Sequence, residues 1–206
     1  MCNLYRLDVP ANQIADAFGI DAGADPWAGD YVAPGKYAPV ITRADGQKVM
    51  VPRVWGVPPP PNGDQPVTNV RNLDSPFWIG TLRHTMFRCL IPVTSFQEWG
   101  GERGRRTQHW FSLPSEPVFA IAGIWRDSEV ASFAMLTTDP NPLVEAVHPK
   151  AMPVILHSCD HDAWLRADWK EARQLVAPYP SQLMAMTEIP AAPPKPADPA
   201  IDLFSR

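Results

Sequence analysis

The second residue of the chain is a cysteine, and a cysteine directly behind an initiator methionine has chemistry that an internal one lacks. Removal of Met1, the usual fate of a starting methionine before a small residue, leaves Cys2 with an α-amine and a thiol on adjacent carbons. An α-amine (ordinary pKa about 7.7 to 8.0) and a thiol (about 8.5) both have a reactive fraction near neutral pH. The matching electrophile is an aldehyde. The amine gives an imine, the thiolate adds to the imine carbon, and a five-membered thiazolidine closes with both nucleophiles on one residue. The plain alternative is that Cys2 is a small residue at a frayed terminus.

For that terminus to work in a pocket, the chain must anchor it. Residues 2 to 8 (CNLYRLD) alternate apolar and polar side chains, which predicts a strand tied into a sheet. Residues 11 to 18 place Ile14, Ala17 and Phe18 at helical spacing, and 19 to 35 read as a Gly/Asp/Ala/Pro loop. Strands are expected at 37 to 41 and 48 to 57, joined at Asp45-Gly46, a strong hairpin signal. Pro58 to Pro61 should end the sheet there. Residues 67 to 72 are β-like and put Asn69 and Arg71 on one side. Ser75-Pro76 has the form of a helix start leading into Phe77, Trp78 and Leu82. Further strands are expected at 88 to 93, 95 to 99, 108 to 113, 118 to 125 and 131 to 137, with a basic Gly-rich loop at 100 to 106. Asn141-Pro142 starts a short helix that ends near His148-Pro149, because proline disfavours helix in the residue before it. An apolar strand at 152 to 156, a helix capped by Asp160 or His161 and carrying Trp164 and Leu165, and a last strand at 181 to 187 complete the reading. The folded domain is expected to span residues 1–188, with a Pro/Ala-rich, extended or disordered tail at 189–206.

Composition narrows the class. A chain of 206 residues can bury a real core as one domain, and 25 prolines disfavour long helices. No apolar run approaches the ~20 residues needed to cross a bilayer, and the start of the chain lacks the pattern of a signal peptide. Three cysteines, Cys2, Cys89 and Cys159, are too few and too scattered for a disulfide framework or a zinc motif. The expectation is a cytoplasmic protein with no cofactor and no metal, with Cys89 and Cys159 buried and inert. The net charge of -4 argues against indiscriminate nucleic-acid binding, yet residues 81 to 110 are locally basic, with five arginines against Glu98 and Glu102. A solvated charged face would explain that segment equally.

Several short motifs share one order and spacing. They are Met1-Cys2, Ala33-Pro34-Gly35, Val54-Trp55-Gly56-Val57-Pro58, Asn69-Val70-Arg71, Arg88-Cys89-Leu90-Ile91-Pro92 and Ser95-Phe96-Gln97-Glu98-Trp99. Ala120-Ile121-Ala122-Gly123-Ile124-Trp125, Thr137-Thr138, His148, Met152-Pro153-Val154-Ile155-Leu156 and Trp164-Leu165 follow. Over about residues 1 to 166 the chain resembles the SOS-response-associated peptidase family, whose catalytic residue is a Cys after the initiator Met. The resemblance implies an α+β fold, a single domain built on a strongly curved, barrel-like, mostly antiparallel β-sheet with short peripheral helices. It also implies a DNA-damage-response function, in which abasic sites in single-stranded DNA are captured as a thiazolidine. By resemblance Cys2 is the nucleophile, Asn69 positions its amine, Glu98 and His148 transfer protons and orient the sugar, and Arg71 holds a flanking phosphate.

The residues themselves admit those roles beside plainer ones. Glu98 lies among Phe96, Trp99 and Trp110, an apolar setting that raises a carboxyl pKa and suits a general acid; the alternative is an exposed strand Glu paired with an arginine. His148 at a helix end is also favoured by the dipole alone. Asn69 could serve only a turn, and Arg71 only a surface ion pair. Tryptophans on strands are core by default, with Trp55 and Trp99 the candidates to stack on bases. The chain departs from the family pattern at Asn3-Leu4, where Gly-Arg is usual, so Arg6 on the same strand is the substitute phosphate contact. Asn72-Leu73 lacks an acidic residue, and no arginine precedes Met152-Pro153. Fewer phosphate contacts predict a shallower salt dependence of binding. Two alternatives stand beside abasic-site capture: an N-terminal-nucleophile cysteine peptidase or amidase, and a non-catalytic single-strand binding module. A monomer is expected.

Overall fold

The computed structural model describes residues 2–101 and 106–189. The basic positions at 102–105 and the tail beyond 189 therefore lie outside the described residues. In chain order the elements are β1 (Tyr5–Leu7), α1 (Ala11–Phe18), β2 (Asp30–Val32), β3 (Tyr37–Ala44), β4 (Gln47–Trp55), β5 (Asn69–Val70), α2 (Ile79–Arg83), β6 (Arg88–Val93) and β7 (Ser95–Gly100). There follow β8 (Thr107–Ser112), β9 (Phe119–Asp127), β10 (Ala131–Thr138), α3 (Pro142–Glu145), β11 (Met152–Pro153), β12 (Ile155–Leu156), α4 (His161–Arg166), α5 (Trp169–Ala172) and β13 (Ala185–Ile189). The architecture is α+β, with short helices around mostly antiparallel sheets.

Five strands close a ring: β10 pairs with β4, β4 with β3, β3 with β6, β6 with β9, and β9 again with β10. Among the described residues only β4 and β5 run parallel to β10, and every other strand pairing is antiparallel. The hairpin between β3 and β4 turns through Asp45 (φ 49°) and Gly46 (φ 83°), the two left-handed residues that a two-residue turn needs to match the strand twist. Where β9 lies against β6, Gly123 is opposite Cys89 and the packing is tight. A Cβ on Gly123 would meet Ile91 Cδ1 at 2.7 Å and Cys89 Sγ at 2.8 Å, so glycine there is a packing requirement.

The second sheet runs β13-β8-β7-β1-β2. It pins β1 between two neighbours, Tyr5 opposite both Phe96 and Val32, and the Gln97 amide donates to the Leu4 carbonyl (3.0 Å). The terminus is thus anchored, as the alternation at residues 2 to 8 required. Arg88 ties the helices on. Fully buried, it donates to the carbonyls of Leu82, Trp164 and Ala167 and lies over the rings of Trp164 and Trp169.

Three local expectations are corrected. The chain at 181 to 187 begins as a 3-10 turn, Ser181–Leu183, and pairs with β8 only from Ala185. The strand at 152 to 156 is split at Val154, whose amide donates to Leu136 while its carbonyl accepts from Ala122, so the chain passes from β10 to β9 there. Cys159 is exposed, on a 3-10 turn ahead of α4, whereas Cys89 is buried as expected.

Candidate active site

Four of the chemically suggestive residues come from separate parts of the chain and meet at the anchored terminus. Asn69 sits on β5, which β10 holds in register through the pair Met135 and Asn69. Its side-chain amide Nδ2 donates to the Cys2 carbonyl (3.2 Å) and to Thr68 Oγ1 (2.8 Å). Its Oδ1 is buried with no hydrogen-bond partner among the described residues, which leaves an acceptor beside Cys2. Cys2 is itself only 1% exposed, and its thiol points to the Leu4 carbonyl at 3.4 Å. Burial, and then the negative charge of Glu98, push the thiol pKa up to about 12. At pH 7 only about one thiol in 10⁵ is then ionised. The sulfur is a proton-bearing group awaiting a partner, not a preformed thiolate.

Glu98 lies on β7, whose alternation sends Phe96, Glu98 and Gly100 to the inner face, where Phe96 stacks on Phe111. The carboxyl is 4% exposed, and burial raises its pKa to about 7. The general-acid reading of Glu98 is therefore physically available, with the group about half protonated at neutral pH. His148 follows α3, its amide donating to the Val144 carbonyl (2.7 Å), and its Nδ1 lies 3.8 Å from Glu98 Oε2. A charged pair at that distance would hold the imidazole pKa up. Burial, aided by Lys150, lowers it instead, and the same desolvation raises that of Glu98. Both groups are pushed toward their uncharged forms, so an acid that holds its proton about half the time at neutral pH faces an uncharged base.

The residues expected to touch DNA are placed less uniformly. Trp99 is 44% exposed on the outer face of β7, directly after Glu98. Arg71 is exposed two residues past Asn69 and forms an ion pair with Asp139. Arg6 projects from the outer face of β1 and lies over the rings of Trp110 (3.9 Å) and Tyr31 (5.0 Å). Trp55 is different: it is fully buried, its Nε1 donates to the Thr68 carbonyl (3.0 Å), and its ring packs on Tyr5 and Phe133. It has no free face for a base, and its work is to support the strand that carries Asn69.

Sequence reasoning passed over three residues here. Thr68 fixes the Asn69 amide through its hydroxyl. Gly100 and His109 pack together across β7 and β8; a Cβ on Gly100 would fall 2.5 Å from His109 Nε2 and 3.2 Å from Val147 Cγ1. No local signal marks them, since the pairing of β7 with β8 alone brings His109 opposite Glu98. Among the described residues no group of three His, Cys, Asp or Glu side chains could hold a metal ion. Nor is any helix there long and apolar enough to cross a membrane.

Known proteins are similar to this chain in fold and in sequence. Solved structures of a protein from Bordetella bronchiseptica (TM-score 0.77, 20% identity, covering 91% of this chain and 99% of that one) and of a protein from Bacteroides thetaiotaomicron (0.75, 20%, 91% and 92%) have the same fold. Two relatives named abasic site processing protein YoqW, from Bacillus subtilis strain 168 and from Bacillus phage SPbeta, are each 26% identical over 92% of both chains. The family model described as SOS response associated peptidase matches residues 1–192. The chain belongs to the SOS response associated peptidase (SRAP) family.

Proposed function

We propose that this protein acts in the response to DNA damage, in the cytoplasm, by capturing abasic sites in single-stranded DNA as a thiazolidine on Cys2 once Met1 has been removed. The observation that carries the reading is the convergence of Asn69 and Glu98 on Cys2: one holds its backbone and offers an acceptor for its amine, the other places a carboxyl of pKa about 7 near its thiol. The relatives named for abasic site processing support the choice of substrate.

The protonation states order the steps. The amine leads, because the thiol holds its proton. It adds to the ring-opened aldehyde of the lesion to form a carbinolamine, and Glu98 protonates the departing hydroxyl, which leaves as water. The thiol then adds to the iminium carbon while its proton passes to the Glu98 carboxylate, and the ring closes. Glu98 serves as acid and then as base, which a pKa near the working pH allows. His148, held neutral, takes the hydroxyl proton of the closed lesion sugar and returns one to the ring oxygen as the ring opens, so that opening consumes no net proton. Arg71, Arg6 and Trp99 face the flanking strand, Arg71 on a phosphate and Trp99 against a base.

The test is a denaturing gel of purified protein mixed with an abasic single-stranded oligonucleotide. Wild type should give a retarded band whose intact mass is that of the protein without Met1 plus the oligonucleotide minus one water, and Cys2→Ala should give none. Turnover of a peptide substrate with no stable adduct would overturn the reading in favour of hydrolysis. Binding without any adduct would leave a plain single-strand binder.

A further inference from the structure

His109 is a half-buried titratable group that the mechanism above leaves unused. The register sets it directly opposite Glu98 on one side and opposite Glu188 of β13 on the other. Directly opposed residues in antiparallel strands share a face, with Cβ atoms about 4.5 to 5.5 Å apart. Glu98, His109 and Glu188 thus form a row across three strands, passing from a buried carboxyl through a half-buried imidazole to an exposed carboxylate at the sheet edge. The ring of His109 folds over Gly100 and toward Val147, the neighbour of His148, and its Nδ1 is buried with no hydrogen-bond partner among the described residues. The bare Cα of Gly100 makes the space that the ring occupies.

We propose that His109 is a proton relay, acting through Glu98, that connects the buried site to solvent at Glu188. The proposal rests on the capture reading. Capture that begins from the ammonium form of Cys2 is not proton-neutral. The ammonium, the aldehyde and the thiol yield a thiazolidine, one water and one proton, and that proton must leave a site in which Cys2, Asn69 and Glu98 are all buried. When Glu98 already holds its own proton it cannot take the one from the ammonium. An imidazole accepts a proton on one ring nitrogen and gives one up from the other, so His109 passes it outward without a net change in its own state. Among the described residues the groups facing it are Glu98 from β7, Glu188 from β13 and His148 beyond Val147.

The experiment measures the rate of adduct formation with an abasic oligonucleotide at pH 6 to 7, in dilute buffer and again with added imidazole. His109→Gln is expected to form the same final adduct about tenfold more slowly in dilute buffer. Imidazole should return its rate toward that of wild type, with little effect on wild type itself. Gly100→Ala, which displaces the ring and keeps the histidine, should show the same slowing and the same rescue, and it carries the test if His109→Gln does not fold. Equal rates in dilute buffer, or a slow rate indifferent to imidazole, overturn the relay. Absence of an adduct with wild type overturns the capture reading instead, so the two failures are distinct.

Discussion

Glu98→Gln isolates the energetic consequence of burying a carboxyl. In the folded chain burial raises this group from its usual 4.5 to about 7, so between those values the folded state binds a proton that the unfolded state has lost. The sign follows: stability contributed by Glu98 is full below pH 4.5, declines as pH rises to about 7, and stays low above it, where a charged carboxylate is buried. Two and a half pH units at about 1.4 kcal/mol each come to about 3 to 4 kcal/mol. Glutamine keeps the shape and never ionises. Urea unfolding followed by tryptophan fluorescence at pH 4.5, 6, 7 and 8 should give coincident stabilities for the two proteins at the acid end. The variant should become more stable by about 3 to 4 kcal/mol at pH 8, while losing rapid adduct formation. A stability difference that stays constant across that range would refute the reasoning, because it would mean that Glu98 titrates alike in both states.

Other substitutions test separate parts of the structure. Arg88→Met leaves three carbonyls without their donor and should cost about 3 to 5 kcal/mol in denaturant unfolding, despite lying outside the site. Asp139→Asn releases Arg71 from its ion pair, so affinity for single-stranded DNA should rise and the logarithmic salt dependence should steepen by about one phosphate contact in a titration series. Trp99→Ala should weaken binding of an intact single strand by about 1 to 3 kcal/mol in fluorescence anisotropy, with an unchanged melting temperature.

What could be read in the sequence was whatever depends on neighbours along the chain. The helix at Ala11–Phe18, the Asp45-Gly46 turn and the Asn141 cap on α3, whose Oδ1 accepts from Val144, are all local physics. So was the apolar setting of Glu98, because Phe96 shares its strand face. Long-range pairing was not legible. Trp55 and Trp99 look alike in sequence as strand tryptophans beside a glycine, yet one closes over by stacking on Tyr5 and Phe133 and the other stays open on an outer face. The parallel contacts of β10 with β4 and β5 join segments far apart in the chain, and no periodicity announces them. The placement of His109 beside Glu98 belongs to the same class, since it exists only through the β7 and β8 register.

The enclosure of Cys2 has a bearing on the chemistry the protein avoids. Peroxides, alkylating metabolites and disulfides attack ionised sulfur, and a thiol that is 1% exposed with a pKa pushed up to about 12 gives them almost nothing to attack. An electrophile that first condenses with the adjacent nitrogen is delivered to the sulfur from within. Under the proposed capture by Cys2, selectivity for carbonyl compounds and endurance through oxidative stress would come from the same few ångströms of packing.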